Sequence, residues 1–450
     1  MTKAVLFLTL LLGTPLLAAP PTSRPLRDLF GINVKFTQGQ PIGDLALLTD
    51  LGVRWVRDTA LWVDIEQTPG EYSAFPADFQ RRLAFYKQHD IGLCFGLWYE
   101  NPKAYPITEQ TPFAAWDADA YGRYAAEIAR RLKASGVRFV IELWNEPHNT
   151  MKNFGGKWNG EPPSPWLDHY VAMVHAATKS VKAVDPSIKV LVDDDMWVLH
   201  YRFLDKGLPE AIDGLAVHPY VKSWPEFSAT EPDTTWTQPF VTVDADRSLK
   251  SAVRRLRDYG AVKIGHTPAM WITEWGWPLG EAIHDRPMTE ELLAGLIPRA
   301  YLTAADAGVE TLLWFSIMDS VDGPMGLTSN DRRMRLTYRS FKTMTKTLGT
   351  GTAIEHVVGD DRPTSGVQVY RVDRPEGPVW IAWNIDGDVA VRVRGVEQAG
   401  DVLGTAVMID RSQADRGRLT LGRSPLYLTG RDVVIEVEKP EGVPPRYLFP

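Results

Sequence analysis

The sequence predicts an α/β protein: a (β/α)8 barrel with a C-terminal antiparallel β-sandwich. Three observations carry that reading. Eight short apolar runs alternate with amphipathic segments from about Leu29 to Ser320, and such alternation builds a parallel sheet. No Gly-x-Gly-x-x-Gly turn follows the first run, which removes a dinucleotide-binding doubly wound sheet. Past Gly349 the helical periodicity stops, and short runs separated by Gly, Asp, Pro and Asn follow, as in small antiparallel sheets.

The elements follow in order. Residues 1–19 stand apart: Lys3 is a positive start, Ala4–Leu12 is apolar, and Leu17, Ala18 and Ala19 lead to a cleavage point. This is the pattern of a secretory signal peptide. Gly13 and Pro15 interrupt the run, which is short of the ~20 residues of a membrane span. The expectation is a secreted or periplasmic protein without a span. The barrel is expected over 20–348, with strands at Phe30–Phe36, Val53–Arg57, Gly92–Leu97, Val137–Trp144, Lys189–Val192, Gly214–Val217, Met270–Thr273 and Thr311–Phe315. Helices are expected at Ala118–Ala134 and Leu167–Ala183, where Tyr170, Val171, Val174, Thr178 and Val181 recur at the helical period. The sandwich is expected over 349–450, with strands at Val367–Val372, Val379–Trp383, Val389–Val393, Leu419–Leu421 and Val433–Val437. Its two tryptophans, Trp380 and Trp383, fall in a strand expected to face a core. That favours a structural domain over a carbohydrate-binding module.

Composition excludes several function classes. Hydrophobic residues at 44% and charged residues at 23% are globular values. A net charge of −7 argues against a nucleic-acid partner. The single cysteine, Cys94, excludes an intramolecular disulfide and any multi-cysteine metal site. A monomer without cofactor is expected.

Barrel enzymes keep their chemistry at the C-terminal ends of the strands. Strand 4 ends in Glu142-Leu143-Trp144-Asn145-Glu146-Pro147-His148, and strand 7 in Thr273-Glu274-Trp275-Gly276-Trp277. The two strands lie across the barrel mouth from each other, so Glu146 and Glu274 can face one another over a cleft. Paired carboxyls flanking a bond are what glycoside hydrolysis requires. Arg57 closes strand 2 and has two readings: it favours an ionised Glu274, or it pairs with the interior acid Glu142. Asp193, Asp194 and Asp195 read mainly as a solvated acidic turn, with a Ca²⁺ or sugar site as the other reading. His148 and His218 lack the close second histidine of a metal site, so no metal is expected. Of 16 tryptophans, seven fall on strand-end loops: Trp98, Trp158, Trp197, Trp224, Trp236, Trp275 and Trp277. Their faces suit a pyranose ring, Trp98 and Trp277 being the chosen candidates, with core packing as the alternative.

Trp144-Asn145-Glu146-Pro147 and Thr273-Glu274-Trp275-Gly276-Trp277 resemble the acid/base and nucleophile motifs of the clan A glycoside hydrolases. Arg54-Trp55-Val56-Arg57, Val217-His218-Pro219-Tyr220 and Trp314 extend the likeness to strands 2, 6 and 8. With its added sandwich, the chain is most similar to family 39, which includes β-xylosidases and exopolysaccharide-cleaving endoglycosidases. The resemblance implies a retaining enzyme acting on a β-linked poly- or oligosaccharide, with Glu146 as acid/base and Glu274 as nucleophile. It further implies that Asn145 binds the sugar 2-hydroxyl, Tyr220 supports the nucleophile, His218 lines the site and Trp314 floors the reacting sugar. The acid must be protonated to act, so burial and the like charge of Glu274 are expected to raise the Glu146 pKa. A non-catalytic carbohydrate-binding barrel and a transglycosylase with the same residues are the alternatives.

Overall fold

The computed structural model describes residues 25–111, 113–151, 154–227, 234–284, 286–358, 366–413 and 416–437. The signal-peptide expectation over 1–19 lies outside them. Eight parallel strands close a barrel: β1 (Phe30–Asn33), β2 (Trp55–Asp58), β3 (Gly92–Leu97), β4 (Phe139–Leu143), β5 (Val190–Asp194), β6 (Gly214–Val217), β7 (Ala269–Trp275) and β8 (Thr311–Trp314). Each pairs with its neighbours in sequence, and β8 returns to β1. A helix follows every strand: α1 (Leu45–Asp50), α2 (Ala77–Gln88), α3 (Ala118–Ser135), α4 (Pro165–Val184), α5 (Trp197–Lys206), α6 (Leu249–Ile264), α7 (Glu290–Asp306) and α8 (Leu336–Leu348). Local chemistry sets their ends. Asp117 caps α3 through the amide of Ala120, Ser248 caps α6 through that of Ser251, and Thr289 caps α7 through that of Leu292. The α3–α4 pair packs closely where Gly122 meets the Ala176 carbonyl; a side-chain carbon at that position would sit 3.0 Å from the oxygen.

Strand alternation sorts the barrel interior into two layers. The lower layer is apolar: Trp55, Cys94, Val140, Leu191, Ala216, Trp271 and Leu313. Trp55 and Trp271 meet edge to face at 4.9 Å. Two positions further along the strands, the inward residues are polar and still buried: Asn33, Arg57, Glu142, Asp193, His218 and Thr273. This switch is the floor of the site. Each of these groups must find a partner, because an unpaired buried polar group is costly.

Among the described residues the C-terminal unit has seven antiparallel strands: β9 (Ala353–Val358), β10 (Val367–Asp373), β11 (Val379–Asn384), β12 (Val389–Gly400), β13 (Asp410–Gln413), β14 (Arg416–Leu421) and β15 (Leu426–Val437). Their order is β9-β10-β11-β15-β12-β14-β13. The layers of this sandwich are one continuous sheet, because the long strands β12 and β15 run through both. They bend at a register shift between Arg394 and Gln398, and bulges increase local bend and twist. Gly395 and Gly430 have positive φ there, and a side-chain carbon on either would lie 1.9 Å from a carbonyl oxygen. The inner face buries Val369, Trp380, Val391, Val393 and Leu419. The other face turns Tyr370, Ile381, Trp383 and Tyr427 into the core of the barrel unit. Both C-terminal tryptophans are therefore core residues. The β9 strand was not expected; alternately exposed, it carries Glu355 and His356 and lacks an apolar run.

Candidate active site

Glu274 reaches the barrel mouth through an irregularity in β7. Leu312 and Trp314 of β8 stand opposite Ile272 and Trp275, so β7 carries one extra residue around Thr273 and Glu274. Such bulges re-aim a side chain. Glu146 is presented differently. Trp144 and Glu146 both have positive φ, at 73° and 45°, a conformation non-glycine residues adopt at a cost. The bend is held from both sides. The Trp144 indole donates to Thr150 Oγ1 at 2.9 Å, and the Glu146 amide donates to Asp193 at 2.9 Å. It also breaks the strand alternation, so Glu142 points inward while the Trp144 ring packs against Tyr121 outside the barrel.

One oxygen of Glu146 and one of Glu274 lie within 4.8 Å of each other, and a ring nitrogen of His218 lies within the same distance of both. Each Glu274 oxygen has its own donor. Arg57 Nη1 binds Oε1, and the Tyr220 hydroxyl donates to Oε2 at 2.9 Å. Arg57 also donates from Nε to Glu142 at 2.6 Å and from Nη2 to the Asn145 side-chain oxygen at 2.8 Å. The expected pairing with Glu142 is present, and the same guanidinium also reaches Glu274 and Asn145, so a single group joins all three. Burial works against its charge, but Glu142, Glu274 and Asp193 outweigh burial and keep it protonated. Burial pushes the Glu142 carboxyl up to about 7 against the pull of Arg57. Enclosure and then the Glu274 charge raise the Tyr220 hydroxyl well above its usual range, so it remains a donor.

The Glu146 carboxyl departs from expectation. Burial raises it, but His218 Nδ1 at 2.8 Å, the His218 charge and the Asn149 amide at 2.9 Å together hold it below the ordinary carboxylate range. His218 bears that charge because Asp193 lies 3.0 Å from its other nitrogen. Burial alone would deprotonate the ring; Asp193 and Glu274 raise it well above the usual histidine value. The imidazolium is 3.9 Å from Glu274 and so stands between the two carboxyls, cancelling the like-charge effect that sequence reasoning invoked.

The acidic triplet is also corrected. Asp193 and Asp194 are fully buried, so it is not a solvated turn. Asp194 accepts from the Met196 amide and faces His148 at 3.1 Å. Burial raises its carboxyl well above the usual range, and burial together with Asp194 takes Asp195 to about 9. Three groups of described residues bring ligand-type atoms together: Glu142–Asp193–His218, Glu146–His218–Glu274 and His148–Asp194–Asp195. Hydrogen bonds and ion pairs among their own members connect the second and third groups, and His218 with Asp193 in the first.

The cleft has a volume of about 520 Å³ and includes Asn145, Glu146, Tyr220, Glu274, Trp277 and Phe315 in its lining. Trp314 does not line it. It is 0% exposed and packs beside Trp277, with centroids 6.0 Å apart. The next residue, Phe315, provides the aromatic surface expected of Trp314. Trp98 lies under the Arg57 guanidinium at 4.5 Å instead of lining the cleft. Trp277 is mostly buried, donates to the Ser223 carbonyl and leaves an edge in the cleft. Among the other loop tryptophans, Trp224 and Trp275 are core, and Trp158 is 40% exposed beside Trp236. The sequence reading missed Lys35, Gln38, Tyr99 and Asp322, which also line the cleft. They lie outside any motif; only their positions just after strands β1, β3 and β8 mark them.

No family model matches the chain, and no curated protein does. Solved structures do. A family 39 glycoside hydrolase from Bacteroides cellulosilyticus matches with a TM-score of 0.69 and 18% identity, over 92% of this chain and 82% of that one. A family 30 endoxylanase from Clostridium papyrosolvens gives 0.58 and 13%, over 91% and 97%. A family 39 β-xylosidase from Caulobacter crescentus gives 0.55 and 16%, over 94% and 98%. Barrel and sandwich together, the chain shares its fold with these clan A glycoside hydrolases.

Proposed function

We propose that the protein is a retaining glycosidase that cleaves β-linked poly- or oligosaccharides by double displacement. One observation carries the reading: carboxyl oxygens of Glu146 and Glu274 within 4.8 Å across an open cleft. That spacing suits the ~5–5.5 Å between carboxyl groups in retaining enzymes and leaves no room for the water that an inverting enzyme needs. Arg57 and Tyr220 orient the Glu274 carboxylate for attack on the anomeric carbon. Glu146 delivers the proton to the leaving oxygen. Because Arg57 occupies the Asn145 oxygen, the Asn145 amide nitrogen is left to donate to a sugar hydroxyl. Such a bond strengthens as charge develops on the sugar. Once Glu274 is bonded to the sugar its charge is gone; Glu146, having lost its proton, draws one from water, and the hydroxide released at the anomeric carbon frees Glu274. In the free enzyme His218 favours the ionised form of Glu146, so activity is expected on the acid side of neutrality. The leader pattern in residues 1–19 supports action outside the cytoplasm, and we take the working unit to be a monomer.

Two measurements test this. Reducing-sugar release from β-linked polysaccharides and aryl β-glycosides should occur with the wild type and vanish in Glu274→Ala. A 2-deoxy-2-fluoro aryl β-glycoside should leave a sugar adduct on the peptide containing Glu274, read by mass spectrometry. Equal release by Glu274→Ala, or an adduct elsewhere, would overturn the assignment.

A further inference from the structure

Two lysines that this reaction does not use, Lys35 and Lys222, line the cleft, and Lys35 is the buried one. Lys35 follows β1, lines the cleft and is 8% exposed. Its ammonium lies 3.6 Å from the centre of the Phe315 ring and 3.8 Å from the Asp322 carboxylate. The second distance is outside hydrogen-bond range, and among the described residues no side chain is closer to pairing with it. An ammonium carries three donors, and this one faces the cleft with the Asp322 carboxylate as its side-chain ion-pair partner, so donors remain for a ligand. Burial weakens its hold on the proton, while Glu274 and Asp322 strengthen it. The gap between Lys35 and Asp322 can be bridged by oxygen atoms that both accept and donate. Sugar hydroxyls do both.

We propose that Lys35 and Asp322 select a neutral sugar in the glycone position, Lys35 donating to one hydroxyl oxygen and Asp322 accepting from the same or an adjacent hydroxyl. The inference rests on the glycosidase reading for the location of that sugar. Charge decides between neutral and acidic sugars. The cleft and the groups just beneath it set Glu142, Glu146, Asp193, Glu274, Glu281 and Asp322 against Lys35, Arg57, His218 and Lys222, so carboxyl groups outnumber cations. A uronic acid would add another negative charge among these groups, which is unfavourable at short range. A hydroxyl adds none. The Phe315 face beside the ammonium offers an apolar surface to the C–H groups of the same ring.

The test uses the full chain, 4-nitrophenyl β-glycosides of neutral pentoses and hexoses, their monodeoxy analogues, and 4-nitrophenyl β-glucuronide. Turnover and calorimetric binding are both measured for the wild type, Lys35→Met, Lys35→Arg and Asp322→Asn. The wild type should prefer a neutral glycoside to the glucuronide. Lys35→Met should lower kcat/KM or affinity for that glycoside about 10–100-fold, the scale of a hydrogen bond to a charged group. Lys35→Arg should recover part of the loss. On the monodeoxy analogue lacking the hydroxyl that Lys35 reads, wild type and Lys35→Met should converge; a merely structural role would not produce that. A loss under twofold in Lys35→Met, or a preference for the glucuronide, overturns the proposal and leaves the glycosidase reading intact. Lys35-dependent binding without turnover supports the proposal and removes the glycosidase reading. Neither binding nor turnover of any probe overturns both.

Discussion

Replacing His218 with glutamine should move the alkaline limb of the kcat/KM profile to higher pH. This limb follows the general acid of the free enzyme, here Glu146. In the wild type, Glu146 accepts from His218 at 2.8 Å and feels its positive charge. A hydrogen bond to a charged group is worth about 1.5–3 kcal/mol, and one pKa unit is about 1.4 kcal/mol. Complete loss would raise Glu146 by about one to two units, and glutamine, which keeps a donor but no charge, by about one. Two further effects act in the same direction. Asp193 loses its neutralising partner, and the Glu274 charge is no longer screened by a cation 3.9 Å away. The sign follows directly: a higher Glu146 pKa keeps the acid protonated to higher pH. The assay is kcat/KM against pH with a phenyl β-glycoside, whose poor leaving group needs the proton. A limb that stays in place, or moves to lower pH, would refute the account of His218 as the group holding Glu146 low.

Three other outcomes are expected. Arg57→Met leaves Glu142 buried without its cation and should cost about 3–5 kcal/mol in urea unfolding; adding Glu142→Gln should recover part of it, and an unchanged midpoint would contradict the pairing. Asp195 stays protonated in the folded chain up to about 9, so the wild type should lose stability from about pH 4 upward as the unfolded chain gives up that proton. The stability difference between Asp195→Asn and the wild type should therefore grow between those values, and a flat difference would count against it. Trp383→Ala should cost about 3–5 kcal/mol, while Trp383→Phe, which loses the 2.9 Å bond from the indole to the Glu226 carboxylate and part of the ring volume, should cost about 2–3 kcal/mol; both are read by chemical denaturation.

The barrel was legible because its signals are local. Short continuous apolar runs and period-3.6 segments are written residue by residue, and the glutamate motifs sit where those runs end. What was not legible depends on neighbours distant in the chain. Phe315 rather than Trp314 enters the cleft, a shift of one residue at the end of a strand, where pairing is irregular. Three consecutive aspartates suggest solvent, yet β6 and β7 close over Asp193 and supply His218 and Thr273 beside it. The low Glu146 pKa follows from the placement of one imidazolium between two carboxyls, which no spacing in the chain encodes. Lys35 is a lone lysine without a motif; enclosure beside Phe315 makes it notable. The loop tryptophans show the converse, where an aromatic-rich sequence mostly built core.

Glu226 lies on the same loop as Tyr220. It accepts two bonds from Arg299 of α7 and one from the Trp383 indole of β11. Arg299 in turn donates to the Arg423 carbonyl between β14 and β15. The appended sheet is thus a fixed abutment for the segment that carries Tyr220, the hydroxyl donor to Glu274. Modularity stops at this seam. A barrel excised at Leu348 would keep both glutamates and the Arg299–Glu226 pair, but it would lose the indole that completes the hold on Glu226 and the carbonyl that holds Arg299; a grafted sandwich from elsewhere would have to supply both contacts again.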